Sequence, residues 1–166
     1  MSSPSNQPSG KGRPSLSHVG ASVLITIADP SHVGEARRAA GELARGGGNQ
    51  TLAGRAALIA TEMATNILKH AHGGGMIAMD RFCDSQGAGV ELLAIDKGPG
   101  IGDFQTCLAD GYSTAGSPGT GLGAIARQAD LFGFYSRPAL GTVIQARLVS
   151  DPARATGPAT DLGVVA

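Results

Sequence analysis

The sequence predicts a two-layer α/β sandwich in which helices pack on one face of a mixed β-sheet. Segments with helical periodicity alternate with β-branched segments, in the order strand, helix, helix, strands, helix, strands. Glycine-rich stretches separate most of these segments, and 166 residues suit one domain with tails. Because a helix with one apolar stripe needs a second layer to cover it, this order favours helices lying on a sheet.

The first half of the chain is predicted to hold one strand and two helices. Residues 22–27 form a short β-branched run that is typical of a strand. Residues 29–31 then supply a turn and a cap for a helix that runs to about residue 45, where three glycines follow. Apolar residues recur at helical spacing over about residues 51–71, which predicts the longest helix of the chain.

The second half is predicted to hold four strands and one further helix. The strands are residues 76–84, 90–96, 131–136 and 142–149. The stretch 97–120 contains six glycines and two prolines and is longer than most connections in a domain, so it is either functional or disordered. A helix over about residues 121–129 follows it.

Composition limits the class of protein. Residues 1–20 and 150–166 are predicted disordered tails, which leaves a folded domain over residues 21–149. Lysine plus arginine equals aspartate plus glutamate, so we expect no nucleic-acid partner, and no apolar run is long enough for a membrane span. We therefore expect a soluble protein. Cys83 and Cys107 have neither metal-site nor disulfide spacing, which predicts reduced thiols in the cytoplasm.

The longest helix carries a polar stripe. Glu62, Asn66 and His70 are spaced at i, i+4 and i+8, so they project from nearly the same face. Taken alone, a solvated face is the commoner explanation, and the neighbouring Lys69 fits it. In a ligand site, the amide oxygen of Asn66 suits Mg²⁺, Lys69 suits phosphate and Glu62 suits a general base.

Two glycine-rich segments add a second line of evidence. Asp96 follows an apolar strand and precedes Gly98 and Gly100, so its carboxylate could accept a hydrogen bond from an exocyclic amine beside a closely approaching ring. An ordinary Asp-Gly turn is the alternative. Residues 119–123, Gly-Thr-Gly-Leu-Gly, run directly into a helix whose first N–H groups and dipole favour phosphate. Together with the polar stripe, these are the parts that a Mg²⁺-nucleotide site needs.

The ordered segments resemble the GHKL ATPase superfamily, and within it the anti-sigma and switch-protein serine kinases. Residues 62–70 are similar to the family's N box, residues 96–100 to its first glycine box and residues 119–123 to its second. Gly141-Thr142 matches a further position on the adenine side. The resemblance spans about residues 22–149 and implies the Bergerat-type ATP-binding fold.

The resemblance also implies roles for individual residues. Asp96 would bind the adenine amino group, Asn66 would hold Mg²⁺ and Glu62 would be the catalytic base. Lys69 stands where some relatives have a lysine that contacts phosphate, and residues 110–114 resemble the lid of switch-type kinases. The other implied pocket residues are Gly98, Gly100, Gly119, Thr120, Gly121, Leu122, Gly123 and Thr142.

The function implied by the resemblance is an ATP-dependent protein-serine kinase of a partner-switching pathway. Its acceptor would be a serine on a STAS-domain anti-sigma antagonist or a stressosome scaffold protein. We expect a free-standing domain, because neither the dimerisation helices of histidine kinases nor the transducer domain of gyrase relatives is recognisable. One alternative is a non-catalytic, ATP-dependent switch that sequesters a sigma factor or activates a phosphatase by docking. Another is a degenerate domain without nucleotide, and a homodimer is left open.

Overall fold

Helices cover one face of an antiparallel sheet in the computed structural model, which describes residues 17–18, 22–46, 49–84, 87–101 and 121–150. This arrangement confirms the predicted α/β sandwich. In chain order, the elements are β1 (Ser17–His18), β2 (Val23–Ile27), α1 (Ser31–Arg45), α2 (Gln50–His70), β3 (Gly75–Asp84), β4 (Gly87–Asp96), α3 (Gly121–Gln128), β5 (Leu131–Arg137) and β6 (Gly141–Val149).

The strand order is β1-β3-β4-β6-β5, and β2 pairs with β3 on the same side as β1. Every described pairing is antiparallel, so the expectation of a mixed sheet was wrong. Two helices in succession return the chain to the end at which β2 finished, so β3 starts opposite Ile27 and runs back. The connection through α3 does make β4 and β5 parallel, but β6 lies between them.

The core lies between the helices and one face of the sheet. Along each strand, every second side chain points to that face. Examples that are buried there are Ile77 of β3, Leu92 of β4 and Ile144 of β6. Ile59 and Met63 are fully buried on the side of α2 that meets them. Full burial of such an aliphatic side chain contributes about 1.5–3 kcal/mol, so these contacts fix the long helix on the sheet.

Local signals account for the ends of the helices. The side chain of Asn49 accepts a hydrogen bond from the backbone N–H of Leu52 at 3.0 Å, and this cap starts α2 one residue before the predicted position. Before α1, the carboxylate of Asp29 accepts hydrogen bonds from the hydroxyl and the backbone N–H of Ser31. Both bonds lower the pKa of Asp29, and the bond from the hydroxyl has the larger effect.

Two further points concern the ends and the surface of the described chain. Ser17 and His18, which lie in the predicted N-terminal tail, pair with Cys83 and Phe82 of β3. Among the described helices, none combines the length and apolarity that a bilayer crossing requires.

Candidate functional site

Three segments meet at the C-terminal half of α2. A methyl group added to Gly121, the first residue of α3, would stand 3.2 Å from Oδ1 of Asn66. A methyl group on Gly98, in the loop after β4, would stand 2.9 Å from the carbonyl oxygen of His70. The fold therefore brings the polar stripe and both glycine segments, as far as they are described, to one place.

Asp96 ends β4 on the face of the sheet that the helices cover. In the register of the sheet it lies between Gly75 and Thr142. Its Oδ1 accepts a hydrogen bond of 2.7 Å from the backbone N–H of Gly98. No other described residue donates a hydrogen bond to the carboxylate, so Oδ2 is left as an acceptor beside the cleft.

A pair of hydroxyls fixes the loop that follows Asp96. Thr142 is 6% exposed, and its Oγ1 lies 3.0 Å from Oγ of Ser136. The backbone N–H of Ile101 donates to Oγ of Ser136 at 2.8 Å, which ties this loop to β5. Ser136 was not among the residues predicted from the sequence, because its role depends on a cross-strand pairing with Thr142 that no local pattern reveals.

Two glycines permit the tight approach of backbones around this loop. Gly100 has a φ of +75° and Gly141 a φ of +109°, a region that other residues enter only with strain. A Cβ on Gly141 would collide with the carbonyl oxygen of Asp96, and one on Gly100 with the carbonyl oxygen of Arg137. The backbone conformation therefore requires glycine both in the loop after β4 and at the start of β6.

Glu62 and Asn66 lie one turn apart on α2, and both are partly buried. Burial raises the pKa of Glu62, while the positive charge of Lys69 opposes the rise. Nδ2 of Asn66 is buried and has no hydrogen-bond partner among the described residues, although buried amides in proteins are nearly always satisfied. A carboxylate with increased proton affinity and an unsatisfied amide therefore lie side by side, which is common at functional sites.

The remaining predicted residues divide into three groups. Lys69 and His70 are exposed at the end of α2. Leu122 is 7% exposed and its side chain belongs to the core, so only its backbone is available to a ligand. Gly123 is buried beside it in α3. Gly119, Thr120 and the lid segment 110–114 lie outside the described residues.

A basic side chain that the sequence motifs do not single out holds the far end of α3. Nε of Arg55 donates to the carbonyl oxygen of Gln128 at 2.9 Å, and Nη2 pairs with Oδ1 of Asp130 at 2.8 Å. Oδ2 of Asp130 accepts from the backbone N–H of Val149 at 2.8 Å. Arg55 thereby links α2 to the end of α3 and, through Asp130, to β6.

Comparison with known proteins assigns the fold to a family. The Histidine kinase-like ATPase domain family matches residues 26–148. The Serine/threonine-protein kinase RsbT of Bacillus subtilis (strain 168) is 40% identical over 86 residues, which are 52% of this chain and 64% of RsbT. The chain thus aligns with less than two thirds of the length of that relative. Because the family match covers most of the chain, the protein belongs to the histidine kinase-like ATPase domain family, as the resemblance predicted.

Proposed function

We propose that the protein binds Mg-ATP in the cleft formed by α2, the loop after β4 and the start of α3, and transfers the γ-phosphoryl group to a serine of a partner protein. The observation that carries this proposal is that the start of α3 lies against Asn66, one turn of α2 away from the partly buried Glu62. Membership of the ATPase family and the similarity to a serine/threonine kinase support it.

Asp96 is the proposed adenine contact. The backbone N–H of Gly98 donates to Oδ1 and restrains the rotation of the carboxylate, so Oδ2 keeps one orientation. A carboxylate oxygen accepts a hydrogen bond from an exocyclic amine, and Gly98 itself has no side chain that would block a flat ring. Thr142, which lies opposite Asp96 in the sheet, would line the same end of the cleft.

Asn66 is the proposed contact for the metal and the phosphates. Mg²⁺ usually keeps several waters and enters proteins on substrate phosphates with one or two protein oxygens. The described residues fit that mode, since they hold no cluster of three or more His, Cys, Asp and Glu side chains for a resident metal. Oδ1 of Asn66 would supply one hard oxygen, and its Nδ2, which has no partner among the described residues, would donate to a phosphate oxygen. Bound Mg²⁺ would neutralise charge on the phosphates.

Glu62 is the proposed base for the transfer step. The serine hydroxyl oxygen bonds to the γ-phosphorus while the bond from that phosphorus to the bridging oxygen breaks, and ADP leaves. The hydroxyl proton passes to the carboxylate of Glu62, whose raised pKa makes it a better proton acceptor than an exposed glutamate. The N–H groups at the start of α3 would stabilise the charge on the phosphoryl oxygens.

We propose a STAS-domain antagonist or scaffold protein as the acceptor and the cytoplasm as the location. The acceptor class rests on the resemblance to switch-protein kinases. The location is supported by Cys83, an exposed free thiol of the kind that a reducing compartment preserves.

The experiment is incubation of the protein with γ-labelled ATP, Mg²⁺ and a candidate STAS-domain protein. The proposal predicts label on a serine of the STAS protein. Glu62→Gln should abolish the labelling but keep Mg-ATP binding, whereas Glu42→Gln, the same substitution at an exposed position on α1, should leave both intact. Undiminished labelling by the Glu62→Gln variant would remove Glu62 as the base.

The second candidate is an ATP-dependent binding switch that captures a sigma factor or a phosphatase. The observation that favours it is the partly buried position of Glu62 and Asn66. Side chains in such a position can hold a bound nucleotide even if no phosphoryl transfer takes place. An Asn66→Ala variant that lost phosphotransfer but still captured the partner would show that capture does not depend on the chemistry.

A further inference from the structure

A groove of about 510 Å³ runs between the outer faces of α1 and α2. Its wall on α1 is one helical face that begins at Gly34 and ends at Arg45. Its wall on α2 consists of the N-terminal turns, from Gln50 to Ala57. The groove lies on the side of α2 that packs against α1, and nothing in the proposed phosphotransfer uses it.

Three exposed arginines make this groove basic. Arg37, Arg38 and Arg45 line it together with one acidic residue, Glu42, although the whole chain carries equal numbers of basic and acidic side chains. Within the described residues, no salt bridge neutralises any of the three arginines. Arg45 in the last turn is favoured by the helix dipole, but Arg37 and Arg38 lie in the middle of α1, where the dipole gives no such reason.

The floor of the groove contains a helical glycine that the packing of the two helices does not require. A Cβ on Gly54 would meet no atom of the described residues within 4 Å, whereas a Cβ on Gly41 would touch Ala57 at 3.8 Å. A glycine inside a helix costs about 0.5–1 kcal/mol relative to alanine. The presence of glycine at position 54 would be explained if the backbone of a partner approached α2 through the open space above it.

We propose that this groove binds an acidic α-helix of a partner protein. Gly34 and Arg45 are eleven residues apart, or about 16 Å along the helix, which matches three turns of a docked helix. Small residues on the floor allow close helix packing, and the planar forks of the arginines pair with carboxylates one turn apart. Among the described residues, the lining of the groove includes no aromatic side chain or lysine, which argues against single-stranded nucleic acid as the occupant.

The groove and the nucleotide cleft lie on different sides of α2. Ala57 of the groove and Glu62 of the cleft are five residues apart, or about 140° around the helix. Asn66 faces the start of α3, while the groove faces α1. A helix bound in the groove would therefore leave the cleft open, and the two proposals can fail separately.

The test is fluorescence anisotropy of the full chain with two labelled peptides. One is an alanine-based helix of about four turns with glutamates one turn apart on one face, and the other has lysine at each glutamate. We expect the acidic peptide to bind at least about tenfold more tightly than the basic one, with an affinity that falls as salt is raised.

Variants of the protein locate the binding. Arg37→Glu combined with Arg38→Glu should weaken acidic-peptide binding by about tenfold or more, because like charges replace the attraction. Gly54→Leu should weaken it by filling the floor, and Gly54→Ala should weaken it less, because it adds only one methyl group. Arg127→Glu, at an exposed arginine on α3, is the control that should keep it. Mg-ATP binding reports folding in each variant.

Equal affinity for the two peptides, or unchanged binding by the double arginine variant, would overturn the proposal. It would also be overturned if phosphatidylserine vesicles or a single-stranded oligonucleotide bound through Arg37 and Arg38 while the acidic peptide did not.

Discussion

Replacing Gly141 with alanine adds one methyl group where the start of β6 packs against the end of β4, beside the proposed nucleotide cleft. Gly141 has a φ of +109°, and a Cβ at this residue would collide with the carbonyl oxygen of Asp96. The variant must therefore strain its own backbone and displace the end of β4 at the same time.

The two effects can be estimated separately. A non-glycine residue in such a sparsely populated backbone region costs about 1–3 kcal/mol. Forcing a methyl group into packed backbone costs a further 1–3 kcal/mol or so. The free energy of unfolding should thus fall by about 2–6 kcal/mol, which for a chain of this size lowers the Tm by about 4–24 °C.

Thermal unfolding followed by circular dichroism measures the change, with Gly54→Ala as the matched control. That control makes the same substitution in a helix where the new Cβ meets nothing, so it should raise the free energy of unfolding by up to about 1 kcal/mol. A Gly141→Ala Tm within about two degrees of the parent would refute the strain argument. So would an equal loss in Gly54→Ala.

Three further predictions concern charged side chains. Lys69→Met removes the positive charge that lowers the pKa of Glu62, so the acid limb of the phosphotransfer pH profile should move to higher pH; an unmoved limb contradicts the coupling. Because the pKa of Glu62 is raised in the folded state, its contribution to stability is greatest below its ordinary value of 4.5 and declines as the pH rises through the folded pKa. Glu62→Gln should therefore raise the Tm at pH 7 but not at pH 4, and a gain at both values would contradict the sign. Arg55→Met should lose about 1–3 kcal/mol in urea unfolding, because it leaves the carbonyl oxygen of Gln128 and Oδ1 of Asp130 without the arginine that donates to them, whereas Arg38→Met should be near neutral.

The fold class and most element boundaries followed from local sequence. The periodicity of α2 and the glycines at both ends of it fix its length to within a residue, because burial and backbone conformation both act over a few neighbours. The order of the strands in the sheet could not be predicted from local sequence. β6 lies between β4 and β5, and this insertion depends on pairings between residues about fifty positions apart that no local pattern records.

The candidate site shows the same division. Residue types and spacing selected Glu62, Asn66 and Asp96, and the fold places their segments together. The support around them was not predictable, since Ser136 and Arg55 act through contacts that exist only after the sheet and α3 have assembled. Leu122 stands between two glycines, which predicts a pocket residue, yet helix formation turns its side chain into the core.

The nucleotide site is the central claim, and it is most directly tested by the Tm of the protein with saturating Mg-ATP. We predict a stabilisation of about 2.7 kcal/mol when ATP is at a hundred times its Kd. Asp96→Ala should lose this stabilisation, while Asp80→Ala, a carboxylate on the uncovered face of the sheet, should retain it. A wild-type protein that Mg-ATP does not stabilise, or an Asp96→Ala variant stabilised as much as the wild type, would contradict the proposed site.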